Sequence, residues 1–202
     1  MDKQEIVKDT KLAFDFVQKL YLEVSYFIKE VEGLLSREDE EFIIGRPSGY
    51  GVTSNRSSGL EANYVGLWPL RKMSVFFVPR SQTLEKGGQT FTSLQMRVIY
   101  LRIVLNGKNI SEPVVYSGAI YNFKKKDKSF PEKIEQIMAH IEYRENPVFK
   151  NPKTIAYEDG YLSFQGELFT CHLYDLNSSE EIYKKVVMPA LKLFRKLSAD
   201  PQ

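Results

Sequence analysis

The residue types that most often announce chemistry are scarce in this chain. It has one cysteine and two histidines among 202 residues. A lone Cys171 excludes an intramolecular disulfide, and so small a stock of thiols and imidazoles falls short of a structural zinc site. Cys171 and His172 are neighbours. On a strand, neighbouring side chains point to opposite faces, so the two cannot act together as nucleophile and base. Neither the Walker A nor the dinucleotide glycine spacing occurs. No apolar run reaches the roughly 18 residues of a membrane span. The opening residues Met1-Asp2-Lys3-Gln4-Glu5 are charged and lack the apolar stretch of a secretory signal, so the expected compartment is the cytoplasm. No internal repeat and no linker divides the chain, which gives one globular domain over 1–202. From these absences we expect no catalytic residues, no metal site and no cofactor.

What is present is an ordinary folding composition with a strand bias. Hydrophobic residues make up 43% and charged residues 27%, which excludes wholesale disorder. The 13 Phe and 12 Tyr favour sheet. Net charge is only +2, but it is unevenly placed. Residues 1–41 carry 6 Lys or Arg against 11 Asp or Glu, and residues 42–202 carry 22 against 15. An acidic first segment therefore suits a basic surface, either its own or a partner's.

Residues 1–36 read as a long N-terminal helix. From residue 3 onward, Ile6, Ala13, Val17, Leu20, Val24, Phe27, Val31 and Leu34 fall on alternating three- and four-residue steps. Phe14, Tyr21, Ile28 and Leu35 widen that seam beyond what a two-stranded coiled coil needs. Such a stripe can cover a sheet, and it can also pair with a second copy of the chain.

Residues 42–175 read as mainly β, interrupted by a helix over 130–145. The most apolar stretch, Gln95–Leu105, predicts a central strand covered on both faces. Arg102 breaks its pattern. It shares a face with Val98, Tyr100 and Val104, and an arginine there requires a carboxylate, carbonyls or a bound anion. Met73–Val78 precedes this strand, and Pro113–Phe123 returns along it after Asn106-Gly107, a strong tight-hairpin signal. Thr154–Tyr157 and Tyr161–Phe164 form another hairpin around Asp159-Gly160, and Gln165-Gly166-Glu167 suggests a bend or bulge. Ser178 and Glu181 form a capping box for a C-terminal helix over 178–198, which Pro189 should kink. The expected fold is α+β: an antiparallel meander-and-hairpin sheet of about six to eight strands. The long first helix, the short middle helix and the last helix pack mainly on one face, with the two terminal helices side by side.

One loop has the composition of a ligand cradle. Beyond Gly45, residues 46–59 gather three glycines, four serines and Arg56, with Arg46 and Tyr50 in the same loop. Small residues let backbone amides approach an anion, and arginine adds a bidentate charge. The candidate ligand-binding residues are thus Arg46, Tyr50, Arg56 and Arg102. The first expectation is a non-enzymatic binding or regulatory protein that holds an anionic small molecule or a partner's acidic segment through the loop 45–59. The alternative is an enzyme of unrecognised type acting on a phosphorylated or carboxylated substrate. A weaker one is nucleic-acid association through the lysines at 124–128 and 184–196, which lack interleaved aromatics. Expected partners are an anionic ligand or protein and a second copy through the first helix, with no membrane.

Overall fold

Asp2 starts the first helix: its carboxylate accepts the Gln4 amide at 2.7 Å, and α1 then runs Lys3–Leu35. It stops where Ser36 turns back, its hydroxyl donating to the Gly33 carbonyl at 2.8 Å. In this computed structural model the described residues are 2–38, 41–45, 72–82, 97–107, 110–129, 133–143 and 148–199. Six strands follow α1 in chain order, with β1 at Phe42–Gly45, β2 at Lys72–Pro79, β3 at Val98–Val104, β4 at Val114–Lys125, β5 at Ile155–Glu158 and β6 at Leu162–His172. The middle helix α2 spans Ile134–Tyr143. A C-terminal helical stretch comprises α3 (Ser179–Ile182), one π-type turn (Tyr183–Val187) and α4 (Met188–Ala199). Together they form an α+β arrangement around one antiparallel sheet of order β1-β2-β3-β4-β6-β5.

Both faces of the sheet are covered, which its central strand requires, since every residue of β3 is buried. On one face Val75, Phe77, Ile99, Leu101 and Val115 pack against two helical elements. These are the second half of α1 (Val24, Phe27, Val31, Leu35) and the C-terminal stretch (Val186, Ala190, Phe194). The two chain-end helices are therefore neighbours, as their opposite charge suggests, and Arg195 donates to Glu38 at 2.6 Å across them. On the other face Phe76, Tyr100, Ile120 and Phe123 meet α2 through Ile134, Ile137, Met138 and Ile141. Two of the three helical segments thus lie on one face and the short middle one on the other.

The capping box is present: the Ser178 hydroxyl accepts the Glu181 amide at 3.3 Å. Pro189 is absorbed by the widened turn at Tyr183–Val187, because a π turn relieves the clash of its ring with the preceding carbonyls. The Val186 carbonyl in that turn accepts the buried Ser117 hydroxyl at 2.9 Å, which ties the helix to β4.

Two local expectations are corrected. The tight turn between β3 and β4 is not centred on Asn106-Gly107; the Ile110 amide donates to the Gly107 carbonyl at 3.2 Å, and strand pairing starts at Val104↔Val114. A two-residue turn at 106–107 would set Val98 opposite Val115, whereas the observed register sets it opposite Ile120. Likewise β6 runs straight through Gln165-Gly166-Glu167, and the bulge lies opposite, in β4 between Tyr121 and Lys124. Asn122 takes the left-handed turn there with φ 55°, a conformation asparagine tolerates better than most residues. Glycine is needed at 118, where an added Cβ would lie 2.0 Å from the Glu167 carbonyl oxygen.

Candidate functional site

Of the four residues singled out for ligand binding, Arg46, Tyr50 and Arg56 lie outside the described residues, as does the rest of the 46–59 loop. Arg102 is described, and its surroundings explain it. Strand alternation directs it from β3 towards α2, where its Nη1 lies 3.1 Å from Oε2 of Glu142; their side chains are only 7% and 1% exposed. The Tyr100 hydroxyl, on the same face, donates to Oε1 of Glu142. The carboxylate therefore receives one partner on each oxygen. Phe149 closes the cluster, with the Arg102 guanidinium 4.1 Å from its ring centroid and the Tyr100 ring stacked at 5.9 Å. Tyr116, opposite Arg102 in β4, tilts against the same ring. Ser74, opposite Arg102 in β2, and Lys72 are buried on this face too.

Electrostatics keep Tyr100 and Arg102 protonated. Burial above all, then the Glu142 carboxylate, raises the Tyr100 pKa well above its ordinary value, so the phenol is a permanent donor. Burial opposes the Arg102 charge, but the Tyr100 oxygen and Glu142 outweigh it and the pKa is raised. Loss of either partner would leave an uncompensated charge in low dielectric, so the pair fixes how α2 sits on the sheet. Among the described residues, Arg102, Tyr100 and Glu142 face one another and Phe149.

A second polar cluster joins α2 to the β5–β6 hairpin. Asp159 accepts the amides of Tyr161 and Leu162 on Oδ1, each at 2.8 Å. Its Oδ2 takes the Tyr157 hydroxyl at 2.8 Å and lies 2.7 Å from Nε2 of His140. Partial burial pushes this carboxyl up, but the His140, Leu162, Tyr161 and Tyr157 hydrogen bonds together hold it well below the usual carboxylate range. The turn aspartate thus also clamps a helix. Cys171 is an inert thiol: burial pushes it up to about 11, while His172 points away and pairs with Glu112 at 3.1 Å.

The described cleft is elsewhere. A hollow of ≈ 330 Å³ lies over the bulge, lined by polar side chains such as Asn122, Lys124, Glu158 and Gln165. It is centred about eight residues farther along β4 than Arg102, on the order of 25 Å away. Two of its polar side chains are paired with each other, Asn122 donating to Gln165 at 2.8 Å, and Glu158 pairs with Lys126 outside the lining. Among the described residues no group of three or more His, Cys, Asp or Glu could hold a metal ion, and no helix is long and apolar enough to cross a membrane.

No known family, curated protein or solved structure matches this chain. The geometry must therefore speak for itself, and its least conventional feature is the first half of α1. Residues 3–16 are exposed on every side, although Phe14 is 66% and Phe16 64% exposed and Ile6, Val7 and Leu12 accompany them. Farther along the same helix the stripe is buried: Val31 is 2% and Leu35 1% exposed. Helical periodicity places Ile6, Ala13, Val17 and Leu20 in line with Val24 and Val31. So the stripe that packs on the sheet simply continues past the end of it.

Sequence reasoning missed Glu142, and a signal for it existed. It lies four residues after Met138, at the edge of the α2 apolar face, and Arg102 had already demanded a carboxylate. The Asp159–His140 contact had no such signal, because it joins a turn to a helix through tertiary packing alone.

Proposed function

We propose that the chain is a non-enzymatic binding protein whose N-terminal helix is its contact arm. The observation that carries this is the exposure of Ile6 and Phe14 on lines that the same helix buries farther along at Phe27, Ile28, Leu34 and Leu35, with Phe16 exposed on the flank. Contiguous exposed apolar surface of this kind marks interaction sites on folded proteins. A helix of about 14 free residues is also marginal in water by itself, so a partner stabilises it as well as being held by it. The test replaces Phe14 and Phe16 with aspartate and compares self-association and apolar-dye binding with the unaltered chain. Arm-dependent loss of both supports the reading. Identical behaviour of the two proteins rejects it.

The anion-binding reading now rests on Arg46, Tyr50 and Arg56. Glu142 already meets the charge of Arg102, so Arg102 would support such a site only from behind. Titration with inorganic phosphate and with an acidic peptide tests it: Arg46→Ala with Arg56→Ala should lower any affinity at least tenfold, and unchanged binding ends the idea. The enzyme alternative has less support, because the described arginine, tyrosine and carboxylate are bonded to each other and packed against Phe149.

A further inference from the structure

The arm reading leaves open what the arm touches, and three features of the arm select an answer. The first is continuity. The stripe formed by Ile6, Ala13, Val17 and Leu20 runs directly into the stripe that packs on the sheet and the C-terminal helix. Among the described residues nothing covers this stripe beyond the sheet, and another apolar helix fits it.

The second is charge. Over residues 3–20 the arm carries four lysines (Lys3, Lys8, Lys11, Lys19) and three acids (Glu5, Asp9, Asp15), a net of +1. It therefore has little net charge to repel an identical helix. It also lacks the cationic polar face with which amphipathic helices settle on lipid. The third is area. Two phenylalanines per copy, each of roughly 150–250 Å² and about two-thirds exposed, bring four rings to a symmetric contact, about a third of the 1,200–2,000 Å² of a standard interface. Ile6, Val7 and Leu12 supply much of the remainder.

We propose that residues 3–20 of α1 pair antiparallel with the same residues of a second copy of the chain. This rests on the arm being a contact surface, and it names the partner. The antiparallel sense is the one in which the helix dipoles oppose each other. Counting heptads with Ile6, Ala13 and Leu20 at d, the e positions are Val7, Phe14 and Tyr21. A parallel pair sets e of one helix against g of the other and places Phe14 beside Asp9. An antiparallel pair sets e against e and g against g, placing Val7 of one copy beside Phe14 of the other and Phe16 beside Asp9, so the flanks carry one apolar and one mixed contact in either sense. In the antiparallel register Ile6 faces Val17 of the second copy. Thr10 faces Ala13 of the second copy, so small residues at the centre allow close approach while the phenylalanines wrap the flanks. Each arm's tip lies near the root of the other.

The experiment uses the full-length chain with Cys171 replaced by serine. Sedimentation from low to high micromolar concentration should show the mass double, and F14D/F16D should return it to that of one chain with an unchanged thermal midpoint. Ile6→Cys and Val17→Cys proteins, mixed and oxidised, should form a heterodisulfide, while Ile6→Cys alone should not self-link. In the antiparallel register its two copies lie about 16 Å apart, far beyond disulfide reach. Self-linking of Ile6→Cys without the heterodisulfide overturns the antiparallel pairing. Hydrogen exchange separates the remaining failures. A single-chain mass with rapid exchange over residues 4–16 rejects the second copy and leaves the arm free for another partner. A single-chain mass with exchange over 4–16 as slow as over 24–35 means the arm is covered within one chain, and it rejects the contact-arm reading as well.

Discussion

The body of this protein buries charge and its arm exposes hydrocarbon. In the body, Arg102 and Glu142 are taken almost wholly out of water, the guanidinium meeting one carboxylate oxygen and the Tyr100 hydroxyl the other. On the arm, phenylalanines that would ordinarily be the first residues to be covered stand in solvent. Each departs from the usual partition, and each does so for a definable reason. A buried ion pair is tolerable only when its partners are supplied, and then it fixes a unique packing of α2 on the sheet. An exposed apolar stripe is tolerable when something else covers it in the working state of the molecule. The same helix makes the contrast: residues 24–35 of α1 are core, and residues 3–16 are surface of identical periodicity.

That contrast predicts a graded response to substitution. Arg102→Ala strands the Glu142 carboxylate in a dry site and should cost about 3–5 kcal/mol in chemical denaturation. A loss below about 1 kcal/mol would mean that the pair is wetter than its burial implies. Leu35→Ala, on the buried half of α1, should cost about 2–5 kcal/mol, because it opens a cavity between helix and sheet. Asp159→Asn keeps the Oδ1 acceptor for the two turn amides but loses the Oδ2 acceptor for Tyr157 and His140, and should cost roughly 1–3 kcal/mol at neutral pH. Because the folded carboxyl is depressed, its stabilisation is complete above the unfolded pKa of about 3.9 and disappears as pH falls through the lower folded value. The gap between the stability curves of the native chain and the Asp159→Asn variant should therefore close on acidification below about pH 4, and a gap that persists would assign the effect to packing. Smallest of all, Phe14→Ala with Phe16→Ala should change the unfolding free energy of the separated chain by no more than about 0.5 kcal/mol, while lowering its association. A large loss in the separated chain would show that the arm belongs to the core after all.

Much of this architecture was legible beforehand. The first helix was bounded to within a residue at its C-terminal end, because an uninterrupted apolar stripe with no proline can form only one element. The place of β3 at the sheet interior followed from its two-faced apolarity. The capping box at Ser178 and Glu181 is local chemistry and appeared where the residues put it. The errors came where local preference competed with distant pairing. Asn106-Gly107 is a good turn, but the whole of β3 pairs with Val114–Ile120, and that register outranked the turn. The bulge moved to Asn122 for the same kind of reason, since the strand opposite decides which side absorbs an extra residue.

By itself the amino-acid sequence determined the elements, their apolar faces and the need of Arg102 for a counter-charge. Periodicity, capping and desolvation all act over a few residues, so they can be read in one dimension. Only the tertiary structure decided which carboxylate answers Arg102, since Glu142 lies 40 residues away on another element. It alone decided where the sheet ends beneath α1 as well. That boundary turns one continuous stripe into a buried half and an exposed half, because burial depends on what stands opposite a side chain.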